Sequence, residues 1–515
     1  MITPIKKIVF IEPKSPGYHV FSKWGLPRLG TIMLGTILKR HGYEVKIFVE
    51  DVRNIKFEDV FDADAVGIST ITSTAPRAYE IARIVRREGI PVFMGGPHVT
   101  FLADEALAYC DYVLRGEAEE TILPFIHALE AGAGFEDIPG LSYRKGDGVV
   151  NTKDVERCPD LDRYPHPDFT LIHGYEKGID RASFTPVMTS RGCPFGCTFC
   201  AVTSMFGRRY RFRSVANVMD ELLERRPKWT FFYDDNFAAN RAHTKELLRE
   251  MIRLNVNTRW TAQVRIDIAE DEELLELMRA SGCYYVYIGL ESVNPKTLKA
   301  LNKSQTVEEI EAATLAIHRY GIRIHGMFIF GADDDDIATI RQTVKFAKRL
   351  QIESVQFMVL TPLPGTRVFE NFEEEGRLLS RDWGYYDAHH VVFRPKGMSY
   401  WDLQKETIRA MMRFYSVGQI FNRLWKFDFW TLIIRAYGRR FVRKGRRATR
   451  DFSKQLKEYY RQAGTSVHQA GAGLQFKARK TSDDIRESLK GINMERIRRH
   501  RAQRLAMKTN IKQSV

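Results

Sequence analysis

The stretch "TPVMTSRGCPFGCTFC", residues 185–200, joins a strand-like segment to three closely spaced cysteines. The chain has only six cysteines in 515 residues, so half of its supply lies here. "TPVMTS" is the first of six strand-like segments, each followed by a helix-length amphipathic segment. They read "TPVMTS", "WTFFYDD", "RWTAQVR", "YVYIGLES", "IRIHGMFIFG" and "SVQFMVL". Six strand–helix units predict a curved parallel sheet, a partial barrel rather than a closed eightfold one, with active groups at the carboxyl ends of its strands.

A second alternating series precedes the barrel, between residues 7 and 131. Its strand-like segments are "KIVFI", "YEVKIFV", "AVGIST", "IPVFMGG" and "DYVLRGE". Short apolar strands separated by helices predict an α/β fold with a doubly wound, Rossmann-like parallel sheet, which binds ligands at the carboxyl ends of its strands.

Composition places the boundaries between these parts. A segment rich in Pro, Gly and Asp lies between the two series and predicts a connector that runs over the surface. A segment with helical periodicity, first aromatic and then basic, follows the barrel. The last fifty residues contain few apolar side chains that could be buried, so we expect them to be loosely ordered or a lone basic helix. The predicted parts are a Rossmann-like domain (1–135), a linker (136–182), the partial barrel (183–395), a helical region (396–463) and a basic tail (464–515).

The cysteine spacing points to an incomplete metal site. Cys193, Cys197 and Cys200 supply one thiolate fewer than the four that close an iron–sulfur cubane. A vacant position is also what separates catalytic from structural zinc sites. A structural zinc knuckle is the alternative, but it needs a fourth Cys or His, and residues 201–242 contain neither. The other cysteines, Cys110, Cys158 and Cys283, show no pairing pattern, so we expect a reducing compartment and no disulfides.

The CxxxCxxC spacing, after a strand and opening a six-unit series, resembles the signature of the radical S-adenosylmethionine (SAM) superfamily. The resemblance implies a [4Fe-4S] cluster whose open iron is chelated by SAM, and reductive cleavage of SAM to a 5′-deoxyadenosyl radical. It also implies SAM contacts near the strand ends, with helix capping or surface ion pairing as the ordinary alternatives for Asp234, Asp235 and Arg265. The candidate SAM contacts are Phe199, Asp234, Asp235, Gln263, Arg265, Glu291 and Ser292.

The order of the two domains resembles the cobalamin-binding radical SAM group, which includes carbon methyltransferases and anaerobic cyclases. The resemblance covers residues 1 to 420 and implies a corrin at the edge of the front sheet, with Ser69, Thr70, Thr72, Gly95, Gly96 and His98 as candidate contacts. The DxHxxG sequence that places a histidine under cobalt is absent, and His98 is the candidate lower ligand. Transfer-RNA methylthiotransferases share the domain order, but they carry three further cysteines in the front domain, where this chain has only Cys110.

The net charge of +15 is a property of the tail. Residues 435–515 hold 23 Lys and Arg against 6 Asp and Glu, which is +17 and leaves −2 for the rest. The mixture of aromatic and basic residues from Phe421 to Arg447 predicts either an interfacial helix on anionic lipid or a helix that packs its aromatics on the barrel. Nucleic acid is the third option and the one we favour least. No apolar run is long enough to span a membrane, so we expect a cytoplasmic protein, with peripheral contact at the inner face of the membrane as the alternative.

Two further groups are candidates of lower weight. "GADDDD", residues 331–336, predicts a solvated loop with Asp336 as a helix cap, or a cation site. His389 and His390 are candidate substrate contacts or acid–base groups.

From these features we predict an enzyme that methylates an unactivated carbon of a hydrophobic or lipid-like metabolite, with a ferredoxin or flavodoxin as electron donor. A radical cyclase or oxidoreductase is the alternative within the same class. A non-catalytic iron–sulfur electron-transfer or scaffold protein is the alternative in another class.

Overall fold

The computed structural model describes residues 5–15, 26–177, 184–425, 428–462 and 482–512. They form two compact units. The first contains residues 5–15, 26–177 and 482–512, and the second contains residues 184–425 and 428–462.

The first unit is built on a seven-stranded sheet of order β2-β1-β3-β4-β5-β6-β7, in which the first five strands are parallel. The strands are β1 (Lys7–Glu12), β2 (Glu44–Val49), β3 (Ala65–Ser69), β4 (Val92–Gly95), β5 (Tyr112–Leu114), β6 (Leu141–Lys145) and β7 (Gly148–Asn151). The helices are α1 (Leu29–Arg40), α2 (Phe57–Phe61), α3 (Ala75–Arg87), α4 (Pro97–Phe101), α5 (Ala103–Ala106) and α6 (Ile122–Ala131). Because helices cover the sheet, β1 is buried along its whole length.

The predicted linker is in large part structured. β6 pairs antiparallel with β5, β7 pairs antiparallel with β6, and Ile172 bridges to Ile47 of β2. Only Leu141, Ser142 and Tyr143 of β6 are buried, and a charged turn interrupts the apolar pattern. The linker prediction is therefore wrong for residues 141–172, which belong to the first unit.

The second unit holds a six-stranded parallel sheet of order β15-β14-β13-β12-β11-β8. Its strands are β8 (Phe184–Val187), β11 (Trp229–Phe232), β12 (Arg259–Val264), β13 (Cys283–Glu291), β14 (Arg323–Phe330) and β15 (Ser354–Val359), and a separate antiparallel pair is formed by β9 (Ser190–Arg191) and β10 (Arg211–Phe212). The helices are α7 (Val202–Phe206), α8 (Val215–Arg225), α9 (Arg241–Arg253), α10 (Glu272–Ala280), α11 (Pro295–Ala300), α12 (Val307–Arg319), α13 (Ile337–Arg349), α14 (Arg367–Glu374), α15 (Tyr400–Phe414), α16 (Val417–Trp425), α17 (Phe429–Ala448) and α18 (Arg450–Gln462).

Burial alternates along the barrel strands and separates their two faces. In β14, fully buried residues alternate with the half-buried Arg323, His325 and Met327. The fully buried set faces the outer side of the sheet, where Phe232 and Trp260 pack against Phe237 of the loop before α9. The half-buried set lines the inside of the curved sheet. The predicted α/β fold, with a doubly wound front domain, a partial barrel and a helical C-terminal region, is confirmed.

The basic tail is not uniformly loose. Residues 482–512 form α19 (Ser482–Leu489) and α20 (Met494–Lys512), which belong to the first unit, while residues 463–481 lie outside the described ranges. Asp484 pairs with Lys14 and with the buried Arg77, and Ile485 is buried. None of the helices in the described ranges has the length and apolar character needed to cross a membrane.

Candidate active site

The three cysteines follow β9, at the carboxyl end of the first barrel strand. Cys193, Cys197 and Cys200 are half-buried free thiols that lie close enough to act on each other electrostatically. Enclosure by protein raises the pKa of Cys193, and it raises that of Cys200 to about 12. The thiols of Cys193 and Cys200 are therefore protonated until a metal displaces the protons.

A glycine and an asparagine shape the cysteine loop. Gly192 has φ +87°, and a Cβ there would lie 2.7 Å from the Arg209 carbonyl oxygen, so only glycine fits. Asn302, just after α11, donates from Nδ2 to the Gly196 carbonyl oxygen at 2.8 Å. The Thr198 amide donates to the Leu301 carbonyl oxygen at 3.2 Å. The loop is thus fixed before any metal binds.

Asp234 holds the chain that enters this loop. Its buried carboxylate accepts hydrogen bonds from the backbone and the hydroxyl groups of both Thr189 and Ser190, at 2.5–2.9 Å. Burial raises the pKa of Asp234 to about 6 in spite of these bonds. The carboxylate is fully used, so Asp234 is neither a candidate SAM contact nor a helix cap. The cap of α9 is Asn240.

Asp235 is the available carboxylate at this edge. Its side chain is exposed, and it acts electrostatically on Cys193 and Cys200. Although part of the side chain is open to solvent, surrounding protein desolvates the carboxyl group, and this desolvation, followed by the charge of Asp234, raises the pKa of Asp235 to about 7. Gln263 lies beside the pair, with Nε2 donating to the Asp234 carbonyl oxygen at 3.3 Å.

Arg265 is buried beside the cysteine loop rather than paired at the surface. Its guanidinium lies 3.7 Å from the centre of the Phe195 ring, and it acts electrostatically on Cys193. Nη2 donates to the Lys303 carbonyl oxygen at 2.7 Å, whereas Nε is buried with no hydrogen-bond partner. A buried donor without an acceptor is costly, so this N–H is a binding group for a ligand atom. Phe199, the predicted aromatic contact of SAM, is half-buried. The aromatic ring that stacks on the Arg265 guanidinium belongs to Phe195.

The end of β13 is organised by an ion pair that the sequence analysis did not find. Glu291 has φ +60° and is buried, with Oε1 2.7 Å from Lys303 Nζ. A Cβ at Gly289 would collide with this pair. The Ser292 hydroxyl accepts from the Asn294 amide at 3.1 Å and shapes the turn. Lys303 therefore connects two predicted SAM contacts, Arg265 through its carbonyl oxygen and Glu291 through its ammonium group.

The middle of the barrel wall, between charged residues at the two ends of the strands, is aromatic. The Tyr287 ring lies 5.9 Å from Phe231 and 5.0 Å from His325, between ring centres. His325 Nδ1 is 2.6 Å from Ser354 Oγ, and Tyr285 Oη also contacts that hydroxyl. Burial lowers the pKa of His325 to about 4, so the imidazole is neutral at physiological pH.

The front sheet brings together most of its predicted residues at one edge. The Thr70 amide and hydroxyl both donate to the Gly95 carbonyl oxygen, at 2.8 and 3.0 Å. Gly96 has φ +97°, and a Cβ there would strike the Thr70 carbonyl oxygen. This glycine therefore allows two loops to pack closely against each other at the edge where the corrin contact is predicted. Ser69 is half-buried beside them and Thr72 is buried.

Sequence comparison decides the family. The family model for the radical SAM superfamily matches residues 187–376, and that for the B12 binding domain matches residues 25–125. An uncharacterized methyltransferase from Pyrococcus horikoshii is 33% identical over 404 residues, 76% of this chain and 88% of the relative. The chain belongs to the radical SAM superfamily. Bacteriochlorophyllide d C-12(1)-methyltransferase from Chlorobaculum tepidum is 30% identical over 449 residues, 85% of this chain and 94% of the relative.

A solved structure supports the same fold. The radical SAM methyltransferase TsrM from Kitasatospora setae, with cobalamin and a [4Fe-4S] cluster bound, matches with a TM-score of 0.61 at 21% identity. The match covers 72% of this chain and 78% of TsrM. The superfamily's cofactors, a [4Fe-4S] cluster and SAM, together with the cobalamin of a B12 binding domain, are those implied by the cysteine spacing and the front sheet.

The residues present fit a radical SAM site better than a zinc site. No group of three His, Cys, Asp or Glu side chains in the described ranges is arranged around a single metal ion. Cluster ligands bind different irons, so the three thiols suit the cluster of the radical SAM superfamily, which this chain matches in place of a zinc knuckle. The buried, unpartnered Nε of Arg265 lies on the same side and suits a carboxylate-bearing ligand such as SAM.

Two of the three predicted histidines, His98 and His390, have buried and paired side chains. His98 is fully buried, with Nε2 3.1 Å from Tyr79 Oη, so we do not retain it as a cobalt ligand. His390 is buried, with Nδ1 2.8 Å from Asp387, and its ring lies 4.6 Å from Phe452 of α18. His389 is half-buried, and its carbonyl oxygen accepts from Gln404 Nε2. The His390 side chain therefore packs against the C-terminal helices, which corrects its prediction as a substrate contact. The role of His389 stays a prediction.

The run of aspartates is divided among structural roles. Asp335 is buried and accepts from Thr297 Oγ1 at 2.7 Å, while Asp333 pairs with Arg377. Asp336 caps α13 by accepting from the Thr339 amide at 2.7 Å, as predicted. These partners leave no cation site in the run.

Proposed function

We propose that this chain is a cobalamin-dependent radical SAM methyltransferase that methylates an unactivated carbon of an uncharged, hydrophobic substrate. The observation that carries the proposal is the trio of free thiols beside the buried, unpartnered Nε of Arg265. When bound, the cluster and SAM supply a hydrogen-abstracting radical, and the corrin supplies a methyl group.

The chain's own residues hold these groups in distinct ways. Cys193, Cys197 and Cys200 would hold the cluster. Asp235, Gln263 and Arg265 would orient SAM, because they are the polar groups that converge on the thiols with hydrogen-bonding capacity left. Glu291 and Lys303 position Arg265 and the turn after β13. Ser69, Thr70, Gly95 and Gly96 form the edge of the front sheet that would contact the corrin.

The lining of the barrel supports a hydrophobic substrate. Arg259 and Arg323 lie at the amino ends of these strands, and Arg265 and Glu291 lie at their carboxyl ends. Between these charged ends, the inner-face residues of β12–β15 are Thr261, Gln263, Tyr285, Tyr287, Gly289, His325, Met327, Ile329, Ser354, Gln356 and Met358. None of these carries a charge at neutral pH, because burial keeps His325 neutral. Aromatic rings and thioethers offer contact area to apolar ligands, and the hydroxyl and amide groups can fix one polar substituent. A charged substrate lying along this middle part of the barrel wall would have no counter-ion.

Product analysis tests the reaction. Anaerobically reconstituted protein, incubated with corrin, SAM and dithionite, should form both 5′-deoxyadenosine and S-adenosylhomocysteine, because methyl transfer consumes a second SAM. A cyclase or oxidoreductase would form deoxyadenosine without S-adenosylhomocysteine, and a scaffold protein would form neither. Cys197→Ala should abolish both products, whereas Cys158→Ala, outside the loop, should retain both.

We propose a ferredoxin or flavodoxin as the physiological electron donor. Replacement of dithionite by either reduced protein should sustain deoxyadenosine formation. Failure of both donors, with dithionite still active, would contradict this part of the proposal.

A further inference from the structure

Helix α17 is fixed to the barrel by an arginine instead of by its aromatic residues. Arg435 is buried, donates from Nη2 to the Ile352 carbonyl oxygen at 2.8 Å, and lies 4.6 Å from the centre of the Phe414 ring. Thr431 and Val442 are buried on the same side of the helix. The side of α17 that contacts the barrel is therefore formed by Thr431, Arg435 and Val442, and not by the exposed aromatic side chains of the helix.

The opposite side of α17 exposes large apolar side chains. Eleven such side chains are exposed in the described part of the chain, and six of them lie between Val417 and Tyr437. Trp430 is 42% exposed, Ile433 57% and Tyr437 52%. Phe421 of the neighbouring helix α16 is 61% exposed. Apolar exposure concentrated in one place is the mark of an interaction site, because single exposed residues are normally scattered.

The exposed stripe continues along the helix as positive charge. Trp430, Ile433 and Tyr437 are followed on the same face by the exposed Arg440 and Arg447, at helical spacing. Phe429–Ala448 contains seven Lys and Arg and no Asp or Glu. We define the docking surface as Phe421, Trp430, Ile433 and Tyr437 together with Arg440, Arg443 and Arg447.

We propose that the docking surface binds the face of an anionic lipid bilayer. Its aromatic and aliphatic end matches the boundary between headgroups and acyl chains, and its arginines match lipid phosphate. An RNA or DNA backbone would use the arginines but gain little from Ile433 and Phe421. A second copy of the chain would bring seven like charges against seven, which opposes self-association. The surface also gives an uncharged, hydrophobic substrate a place from which to enter, although lipid binding does not depend on the proposed reaction.

Vesicle flotation of the full chain tests the proposal. The protein should float with vesicles of phosphatidylcholine containing phosphatidylglycerol and bind pure phosphatidylcholine much more weakly. Arg440→Gln with Arg443→Gln and Arg447→Gln should lower the partition coefficient about 100-fold, since each cation near an anionic surface contributes roughly fivefold. Trp430→Ser with Ile433→Ser should also abolish flotation, because headgroup attraction alone is screened by salt.

Matched variants and alternative partners make the result decisive. Leu254→Ser with Leu315→Ser removes exposed apolar groups elsewhere in the second unit and should leave flotation unchanged. Equal flotation of wild type and the Trp430/Ile433 variant would overturn the proposal. So would a wild-type dimer that this variant dissociates, or RNA binding that needs the arginines without any flotation.

Discussion

Replacement of Asp234 separates support of the cysteine loop from contact with SAM. In Asp234→Ala, the backbone N–H groups of Thr189 and Ser190 lose their acceptor, because both donate to Oδ1. Each buried, unsatisfied donor costs about 1–3 kcal/mol, so the free energy of unfolding should fall by about 2–6 kcal/mol. Asp234→Asn keeps an oxygen at that position and an amide facing the Thr189 hydroxyl, so it should cost about 1 kcal/mol or less.

Denaturant unfolding of the anaerobically purified variants measures these changes in the free energy of unfolding. Iron analysis after reconstitution measures whether the cysteine loop still binds iron. Asp234→Ala should lose iron, while Asp234→Asn should retain it together with formation of 5′-deoxyadenosine. If Asp234→Asn is as stable as wild type but fails to cleave SAM, the carboxylate acts by its charge on SAM and our assignment is wrong. Asp235→Ala, at an exposed position, should leave stability unchanged and weaken SAM binding.

Three further predictions concern the cysteine loop and the docked tail. Gly192→Ala should prevent iron incorporation, because its Cβ would meet a backbone carbonyl, whereas Gly42→Ala, with the same φ of +87° and open space, should not; equal iron contents would contradict the loop argument. Arg77→Met should lower the free energy of unfolding by about 3–5 kcal/mol, because the buried Glu50 loses its partner; a loss below about 1 kcal/mol would contradict this. Burial would raise the pKa of Asp484, but Lys14 and Arg77 outweigh it and hold that pKa below the ordinary 3.8. Wild type should therefore have a larger free energy of unfolding than Asp484→Asn above pH 3.8, and this difference should disappear as the pH falls below 3.8. A difference that grows at low pH would refute the ion pairing.

The parallel sheets could be predicted because their signal is local. Each central strand is a run of apolar residues bounded by a helix, and burial on both faces requires that pattern. The hairpin of β6 and β7 could not be predicted in the same way. Only three residues of β6 are buried, and the pair is stabilised by β5, which is distant along the sequence.

The thiols could be found from the sequence, because cluster ligation needs particular residues at a particular spacing. Asp234 and Asp235 were adjacent candidates, and the sequence could not show which one turns toward Thr189 and Ser190. Lys303 lies after a helix and carries no motif, so its link between Arg265 and Glu291 required the three-dimensional structure. The burial of His98 and His390 likewise depends on distant packing.

The central claim is that protein atoms leave the iron site one ligand short. Electron paramagnetic resonance of the dithionite-reduced, anaerobically reconstituted protein, recorded with and without SAM, tests it most directly. We predict about four irons per chain and a cluster signal that changes when SAM binds. A signal that SAM leaves unchanged, or zinc in place of iron at Cys193, Cys197 and Cys200, would contradict the account.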